Sequence, residues 1–165
     1  QIIFTGSGNE EGSEIIENLI SEFAGNSSNV FFVKHFGIKN YLRVMRESKC
    51  VLGNSSSGIV EAPSFNVPTV NIGSRQKNRM AAKSVFNCGY NEEEIYNILF
   101  KILNSKFDGD FFNNPYDPYR DGKGSERIVK VIKNSLSTDK EKLIIKKFVN
   151  TVNKEQWNSL LRGEL

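Results

Sequence analysis

Short apolar runs alternate with amphipathic stretches along the chain. The runs IIFT, VFFV, CVLG and TVNI are rich in β-branched and aromatic residues, and each has the length of a buried strand. The stretches between them have the apolar spacing of helices or the composition of turns that start helices. Strands that alternate with helices are typical of βαβ units. We therefore expect an α/β fold with a parallel sheet flanked by helices.

Apolar spacing and capping residues predict four helices. The first has Asn9 as its N-cap, and the second runs from about Asn40 to Glu47. The third is the clearest, because Asn91 caps it and three glutamates favour the positive end of its dipole. The fourth starts near Ser125, and we expect its apolar side chains to pack on the sheet. The apolar residues of the first helix are Ile15, Ile16, Leu19, Ile20 and Phe23, those of the third are Ile95, Ile98, Leu99, Ile102 and Leu103, and those of the fourth are Ile128, Val129, Val131 and Ile132.

The composition changes twice in the second half of the chain. Residues 106–122 are rich in Gly, Pro, Asn and Asp and lack periodicity, which predicts a loop. From about Ser137 the sequence suggests one or two helices outside the α/β core. We therefore divide the chain into a domain at 1–136 and a helical C-terminal tail at 137–165. The tail either folds back on this domain or packs on a part of the protein outside this chain.

Composition and charge argue against nucleic acid and membrane as binding partners. A length of 165 residues suits one domain with or without a tail, and the net charge of +3 is too small to indicate nucleic-acid binding. No apolar run approaches the roughly 18 residues of a membrane span, and no signal-peptide pattern opens the chain. We expect a cytoplasmic protein that binds neither nucleic acid nor membrane.

The two cysteines, Cys50 and Cys88, lie at the edges of apolar runs. They have no CxxC spacing and no partner histidines, so neither a zinc site nor a disulfide framework is indicated. We interpret both as buried free thiols in a reducing compartment. No metal and no cofactor are predicted.

The segment CVLGNSSSGIVEA predicts a buried strand, a glycine and serine loop, and then the start of a helix. A helix start exposes unpaired N–H groups, and glycines allow a ligand to approach the backbone. The loop is therefore a candidate phosphate cradle at the carboxyl end of a parallel strand. The alternative is a helix N-cap with spare serines, because Ser is among the best capping residues. The pattern is neither a Walker A sequence nor a GxGxxG fingerprint.

Two charged residues extend this candidate site. Glu61 lies one helical turn further in, where its carboxylate would accept hydrogen bonds from a ribose diol. Arg75 follows the next strand, where its guanidinium would reach the phosphates. Phosphate at Ser55 and Ser56 with ribose at Glu61 makes a nucleotide site. The alternatives are a glutamate that complements the helix dipole and an arginine exposed on the surface.

Residues 53–79, GNSSSGIVEAPSFNVPTVNIGSRQKNR, closely resemble the nucleotide-binding signature of the UDP-N-acetylglucosamine 2-epimerase family. The resemblance is strongest to the hydrolysing branch, which serves the synthesis of sialic-acid-type sugars. It looks continuous from IIFT to the helix that ends near Leu136. The signature is specific, because EAPSF, VPTVNIG and RQ follow the serine loop in order.

The resemblance implies two Rossmann-like domains that face a cleft, the arrangement shared with GT-B glycosyltransferases. This chain would be most of the C-terminal half. The absence of an initiator methionine and the start inside an apolar run fit a fragment of a longer protein. The implied partners are UDP, a UDP-sugar substrate and the missing N-terminal domain, and a homo-oligomer is possible.

The resemblance also implies roles for individual residues. Ser55 and Ser56 correspond to serines on the phosphates, Glu61 to a glutamate on the ribose, and Arg75 to an arginine at the pyrophosphate or the active-site mouth. The loop around Phe36 occupies the place where such domains meet the base. The predicted UDP-binding residues are Ser55, Ser56, Gly58, Glu61, Arg75 and Phe36.

The implied reaction begins with loss of UDP from the sugar and removal of the C2 proton, which gives a glycal. Water then adds to release N-acetylmannosamine, or UDP adds back. We expect the main acid and base groups outside this chain, because the family's active-site histidine belongs to an earlier strand end. His35, the only histidine, is then expected to pack or hydrogen-bond locally.

The sequence departs from the family pattern at two places. Asn66 stands where many relatives have glycine, and asparagine tolerates the left-handed conformation that such a turn requires. Relatives usually have an asparagine one place before Asn9, so a contact there is in doubt. Two other hypotheses stay open: the donor domain of a GT-B glycosyltransferase, and a non-catalytic nucleotide-sugar-binding module.

Overall fold

The computed structural model describes residues 1–8 and 11–138, in two compact units. The first unit is Gln1–Pro118, and the described part of the second is residues 119–138. Asn9, the predicted cap, lies outside the described residues, as does nearly all of the predicted tail at 137–165. The division into a domain at 1–136 and a helical tail therefore stays a prediction.

Strands and helices alternate along the described part of the first unit, except that β5 follows β4 with no helix between them. Their bounds, in chain order, are β1 Ile2–Thr5, α1 Ser13–Gly25, β2 Val30–Val33, α2 Gly37–Glu47, β3 Val51–Gly53, α3 Ser57–Val60, β4 Thr69–Ile72, β5 Val85–Cys88 and α4 Glu92–Leu103. Short 3₁₀ helices occupy Ala62–Phe65 and Gly109–Phe112. The second unit contains α5, Gly124–Leu136. The predicted α/β class is confirmed.

All strand pairs that the structure contains are parallel. β1 pairs with β2, and β3, β4 and β5 pair in that order. Within the described residues, hydrogen bonds thus form two sets of strands where we expected one sheet. The fifth strand, VFNC, was not predicted, although it is as long as the predicted strand TVNI.

The main core lies around β4, the middle strand of the larger set. Val70 on this strand is fully buried and packs in one cluster with Cys88 and Ile102. A second cluster contains Met45, Ala62 and Val67. Because β3 and β4 are parallel neighbours, the loops that follow them emerge at the same edge of the sheet.

The helices confirm one prediction and leave another open. Asn91 caps α4, since its side-chain oxygen accepts a hydrogen bond from the Glu94 N–H at 3.0 Å. The apolar stripe of α5 was expected to pack on the sheet; α5 belongs to the second unit, where Ile128 and Ile132 are exposed, and its packing on the sheet stays a prediction. Apolar periodicity determines which side chains share a face, but not what covers that face.

Both cysteines are free thiols, as predicted. Cys88 is buried and Cys50 is half-buried. Burial raises the pKa of Cys50 to about 11 and also raises the pKa of Cys88. Both thiols are therefore protonated near neutral pH. Among the described residues, no helix is long and apolar enough to cross a membrane.

Candidate functional site

The serine loop, residues 54–57, follows directly on β3. The chain leaves the strand at Gly53, whose φ of 143° favours glycine. Ser55 and Ser56 are exposed, and within the described residues their backbone N–H groups donate to no protein acceptor. The Ser57 N–H donates to the Ser55 hydroxyl oxygen at 3.3 Å. The loop therefore presents two backbone donors and several hydroxyls to a ligand.

The helix after this loop is much shorter than the sequence suggests. α3 has four residues and gives way to a 3₁₀ helix at Ala62–Phe65. Pro63 has no N–H to donate to the carbonyl of Ile59, so the α-helical ladder stops there. So short a helix has little macrodipole, and anion binding here depends on the donors of the loop itself. The turn ends at Asn66 with a φ of 58°, the left-handed conformation for which asparagine is suited.

Gly58 is buried where α3 meets β4. A Cβ atom at this position would lie 2.6 Å from Cγ2 of Thr69, which leaves no room for a side chain. The Thr69 hydroxyl also donates to the Gly58 carbonyl at 2.7 Å. The structure thus gives Gly58 a packing role between helix and strand, and its predicted contact with a ligand stays a prediction.

Glu61 comes immediately after α3 and is half-buried. Its Oε2 atom is buried and has no hydrogen-bond partner among the described residues. A buried carboxylate oxygen without a donor costs free energy, so such an atom calls for an explanation. A ligand with hydroxyl donors beside the serine loop would satisfy it.

The loop after β4 contacts the serine loop through Gln76, the residue that follows Arg75. Arg75 is exposed, whereas Gln76 beside it is only 6% exposed. The Gln76 Nε2 donates to the carbonyl oxygen of Asn54 at 2.8 Å, across 22 residues of sequence. This bond joins the two loops at the carboxyl ends of β3 and β4. Sequence reasoning did not single out Gln76, and its only signal was its place in the RQ pair.

Tyr90 packs beside the start of the same loop. A Cβ atom at Gly73 would lie 2.4 Å from the Tyr90 hydroxyl oxygen, and Gly73 has a φ of 77°. The backbone conformation favours glycine at this position, whereas Tyr90 is 78% exposed and its ring has room to shift. Sequence reasoning gave Tyr90 no role, because the contact joins two loops that follow different strands.

Asn114 supports the backbone next to Glu61 and was also missed. It is 3% exposed, and its side-chain amide donates to the Val60 carbonyl at 2.7 Å and to the Ser64 hydroxyl at 2.8 Å. The Ser64 hydroxyl in turn donates to Asp117 at 3.3 Å. The segment predicted only as a loop thus anchors the end of α3.

Phe36 lies apart from these residues. It is half-buried at the start of α2, and its carbonyl accepts a hydrogen bond from the Asn40 side chain at 3.2 Å. In residues 1–8 and 11–138, no hydrogen bond or ring contact joins Phe36 to the serine loop. Its predicted contact with a base stays a prediction. His35 beside it is exposed.

The geometry can be compared with known proteins. Residues 1–133 match the family described as UDP-N-acetylglucosamine 2-epimerase. The chain belongs to this family. It is 33% identical over 136 residues to the UDP-N,N'-diacetylbacillosamine 2-epimerase (hydrolyzing) of Legionella pneumophila, which covers 81% of this chain and 34% of that protein. It is 33% identical over 106 residues to the GDP/UDP-N,N'-diacetylbacillosamine 2-epimerase (hydrolyzing) of Campylobacter jejuni, which covers 64% of this chain and 27% of that protein.

A solved structure has the same fold. The S. aureus MnaA-UDP co-structure aligns with a TM-score of 0.57 and 21% identity over 92% of this chain and 48% of that chain. The likeness confirms the predicted Rossmann-like α/β fold, which is part of a GT-B-like arrangement in this epimerase family. The chain spans about a third of the length of the curated relatives it matches.

Proposed function

We propose that this chain is the UDP-binding portion of a hydrolysing UDP-sugar 2-epimerase. One observation carries the proposal: the buried Oε2 of Glu61 has no partner among the described residues, and it follows a loop whose backbone donors are unused. A nucleoside diphosphate offers acceptors for the loop and ribose hydroxyl donors for the carboxylate. The co-structure of the similar S. aureus protein with UDP supports this choice of ligand.

In the proposed complex the two loops bind the diphosphate and Glu61 binds the ribose. The exposed serines Ser55 and Ser56 donate to the diphosphate, and Glu61 accepts from the ribose hydroxyls. Arg75 adds a charge-assisted donor from the neighbouring loop. Phe36 contributes to the base side of the site. The donors would be held in place before the ligand arrives, which lowers the entropic cost of binding.

The proposed reaction uses these donors on the leaving group. The bond between C1 of the sugar and UDP breaks while the C2 proton is removed, which gives a glycal and free UDP. Water then adds across the C1–C2 double bond, with its hydroxyl at C1 and a proton at C2, to give the 2-epimer. This chain would stabilise the negative charge that develops on the departing diphosphate. The base at C2 would come from outside this chain.

Hydrolysis and an N-acetylated substrate are the finer parts of the proposal. Both curated relatives described above have names that specify a hydrolysing reaction on a diacetylated nucleotide-sugar, with UDP in one name and GDP/UDP in the other. We therefore propose UDP-N-acetylglucosamine or a related acetamido UDP-sugar as the substrate. The epimerase family favours this function over a glycosyltransferase donor domain or a non-catalytic module. The cytoplasmic location, the partner domain and a homo-oligomer stay predictions.

Calorimetric titration of the full chain with UDP tests the binding proposal. Glu61→Gln keeps the size of the side chain but removes its charge, and we expect UDP to bind at least roughly tenfold more weakly, as for a lost hydrogen bond to a charged group. Ser56→Ala should also weaken binding. Glu47→Gln, at an exposed glutamate at the end of α2, is the matched control and should leave the affinity unchanged.

Two results would contradict the proposal. The first is no heat of binding with UDP at millimolar concentration. The second is that the Glu61→Gln and Ser56→Ala variants bind UDP as tightly as the unaltered chain does. Product analysis of the longer protein with UDP-N-acetylglucosamine tests the reaction separately, since a transfer product that requires an acceptor would indicate a glycosyltransferase instead.

A further inference from the structure

We propose that Gln76 is a positioning residue for the serine loop. Its side-chain amide would hold the backbone before Ser55 in the conformation that points the loop's donors at a diphosphate. The inference rests on the proposed function, because it assigns a role within the same UDP site. It adds a residue that need not touch the ligand itself.

The backbone at the start of the serine loop needs such a restraint. The ladder between β3 and β4 ends where Gly53 pairs with Asn71, and Gly53 itself is in a conformation that few other residues adopt. Beyond that point the carbonyl of Asn54 accepts the hydrogen bond from Gln76 at 2.8 Å. Within the described residues, it is the one hydrogen bond to this carbonyl. The bond therefore fixes the peptide group that precedes Ser55.

Gln76 is itself held by a folded loop. The Gly73 N–H donates to the carbonyl of Cys88 at 2.8 Å, which attaches the start of the loop to β5. The Lys77 N–H donates to Ser74 and the Arg79 N–H donates to Gln76, at 3.0 Å and 3.2 Å, and these bonds form two successive turns. The side-chain amide of Gln76 thus fixes the start of the serine loop relative to the sheet.

The chemistry of the side chain supports positioning rather than packing. Gln76 is almost fully buried, yet its Oε1 has no hydrogen-bond partner among the described residues. A methionine would fill a similar volume without burying an unpaired oxygen, so packing alone does not account for an amide here. The reversed amide orientation would place Oε1 against the Asn54 carbonyl oxygen, and two acceptors repel each other. The hydrogen bond that the Gln76 amide donates to the Asn54 carbonyl therefore explains why an amide side chain lies here.

The test compares how strongly the full chain binds UDP and uridine, by NMR titration. Gln76→Met keeps the length of the side chain and removes its donor. We expect the dissociation constant for UDP to rise about threefold to tenfold, the range of one lost hydrogen bond, and that for uridine to stay the same. If Gln76 had only a structural role, the substitution would weaken the binding of UDP and of uridine equally, since uridine lacks only the diphosphate.

Asn71→Leu is the matched control. Asn71 is 2% exposed, and its side-chain amide donates to Asn87 at 2.7 Å, so the substitution also removes a hydrogen bond from a buried amide. That bond joins two strands and does not reach the serine loop. We expect a loss of stability with no change in the ratio of the two dissociation constants.

The outcomes separate the inference from the proposed function. If the unaltered chain binds UDP and Gln76→Met leaves the ratio of UDP to uridine affinity unchanged, the inference is overturned while the proposed function stands. The inference is also overturned if Asn71→Leu changes the ratio of UDP to uridine affinity as much as Gln76→Met does. If the unaltered chain does not bind UDP, the proposed function is overturned and the inference with it.

Discussion

Helices α1 and α4 have similar lengths and apolar stripes but differ in how far those stripes are buried. They have 13 and 12 residues, and both present an apolar stripe at helical spacing. Ile102 of α4 is 3% exposed and belongs to the main core, whereas Ile15 and Leu19 of α1 are 67% and 62% exposed. The difference shows that a stripe predicts a helix and a face but does not predict burial.

The strands beneath the two helices differ in the same way. β4 is buried between β3 and β5, whereas β1 pairs only with β2 among the described strands and its residues Ile2 and Ile3 are exposed. The serine loop, Glu61 and Gln76 all follow strands of the buried set. We infer that the candidate site is supported by the better-packed part of the first unit.

The largest effect should come from removing core volume under the site. We expect Ile102→Ala to lower the free energy of unfolding by about 2–5 kcal/mol, because it creates a cavity in the main cluster. Leu19→Ala on the exposed stripe of α1 should lower it by about 0.5 kcal/mol or less. Chemical denaturation of both variants measures the difference, and equal losses would contradict the comparison.

A smaller effect should come from the contact between α3 and β4. Gly58→Ala places a methyl group against Thr69, and we expect a loss of about 1–3 kcal/mol in unfolding free energy from overpacking. Gly25→Ala at the end of α1 is the matched substitution, since nothing lies within 4 Å of a Cβ there. It should be neutral or slightly stabilising. Thermal unfolding of the two variants measures the difference, and a neutral result at Gly58 would show that the described packing is wrong.

The smallest of the three stability effects should come from the loop that anchors α3. Asn114→Ala removes the donors to Val60 and Ser64 and the acceptor of the Tyr116 N–H, and we expect a loss of about 1–2 kcal/mol, because these groups lose a buried partner. Asn113→Ala next to it is exposed and should change unfolding by less than about 0.5 kcal/mol. Urea denaturation distinguishes the two, and an equal loss in both would rule out the anchoring role of Asn114.

Local sequence predicted the elements whose signals lie within a few residues. The cap at Asn91, the helix α4 and four of the five described strands were found in this way. β5 was missed, although its four residues resemble those of β4 in length and composition. The start of α3 was predicted but its end was not, because the effect of Pro63 on the ladder was not weighed.

The candidate site was predicted only as far as its residues are neighbours in sequence. Ser55, Ser56 and Glu61 occupy one continuous segment, and a family signature contains them all. Gln76 acts across 22 residues and Asn114 across 54, so no local pattern indicates their partners. Such bonds depend on which strands become neighbours, and that is a property of the whole fold.

The most direct test of the account is an NMR map of UDP binding on the full chain. Amide signals of Ser55, Ser56, Glu61 and Arg75 should shift in proportion to the UDP added, because the ligand would bind the loops after β3 and β4. Amide signals of α1 should not move. Shifts confined to α1, or no shifts in the serine loop at saturating UDP, would contradict the central claim that this loop binds a nucleoside diphosphate.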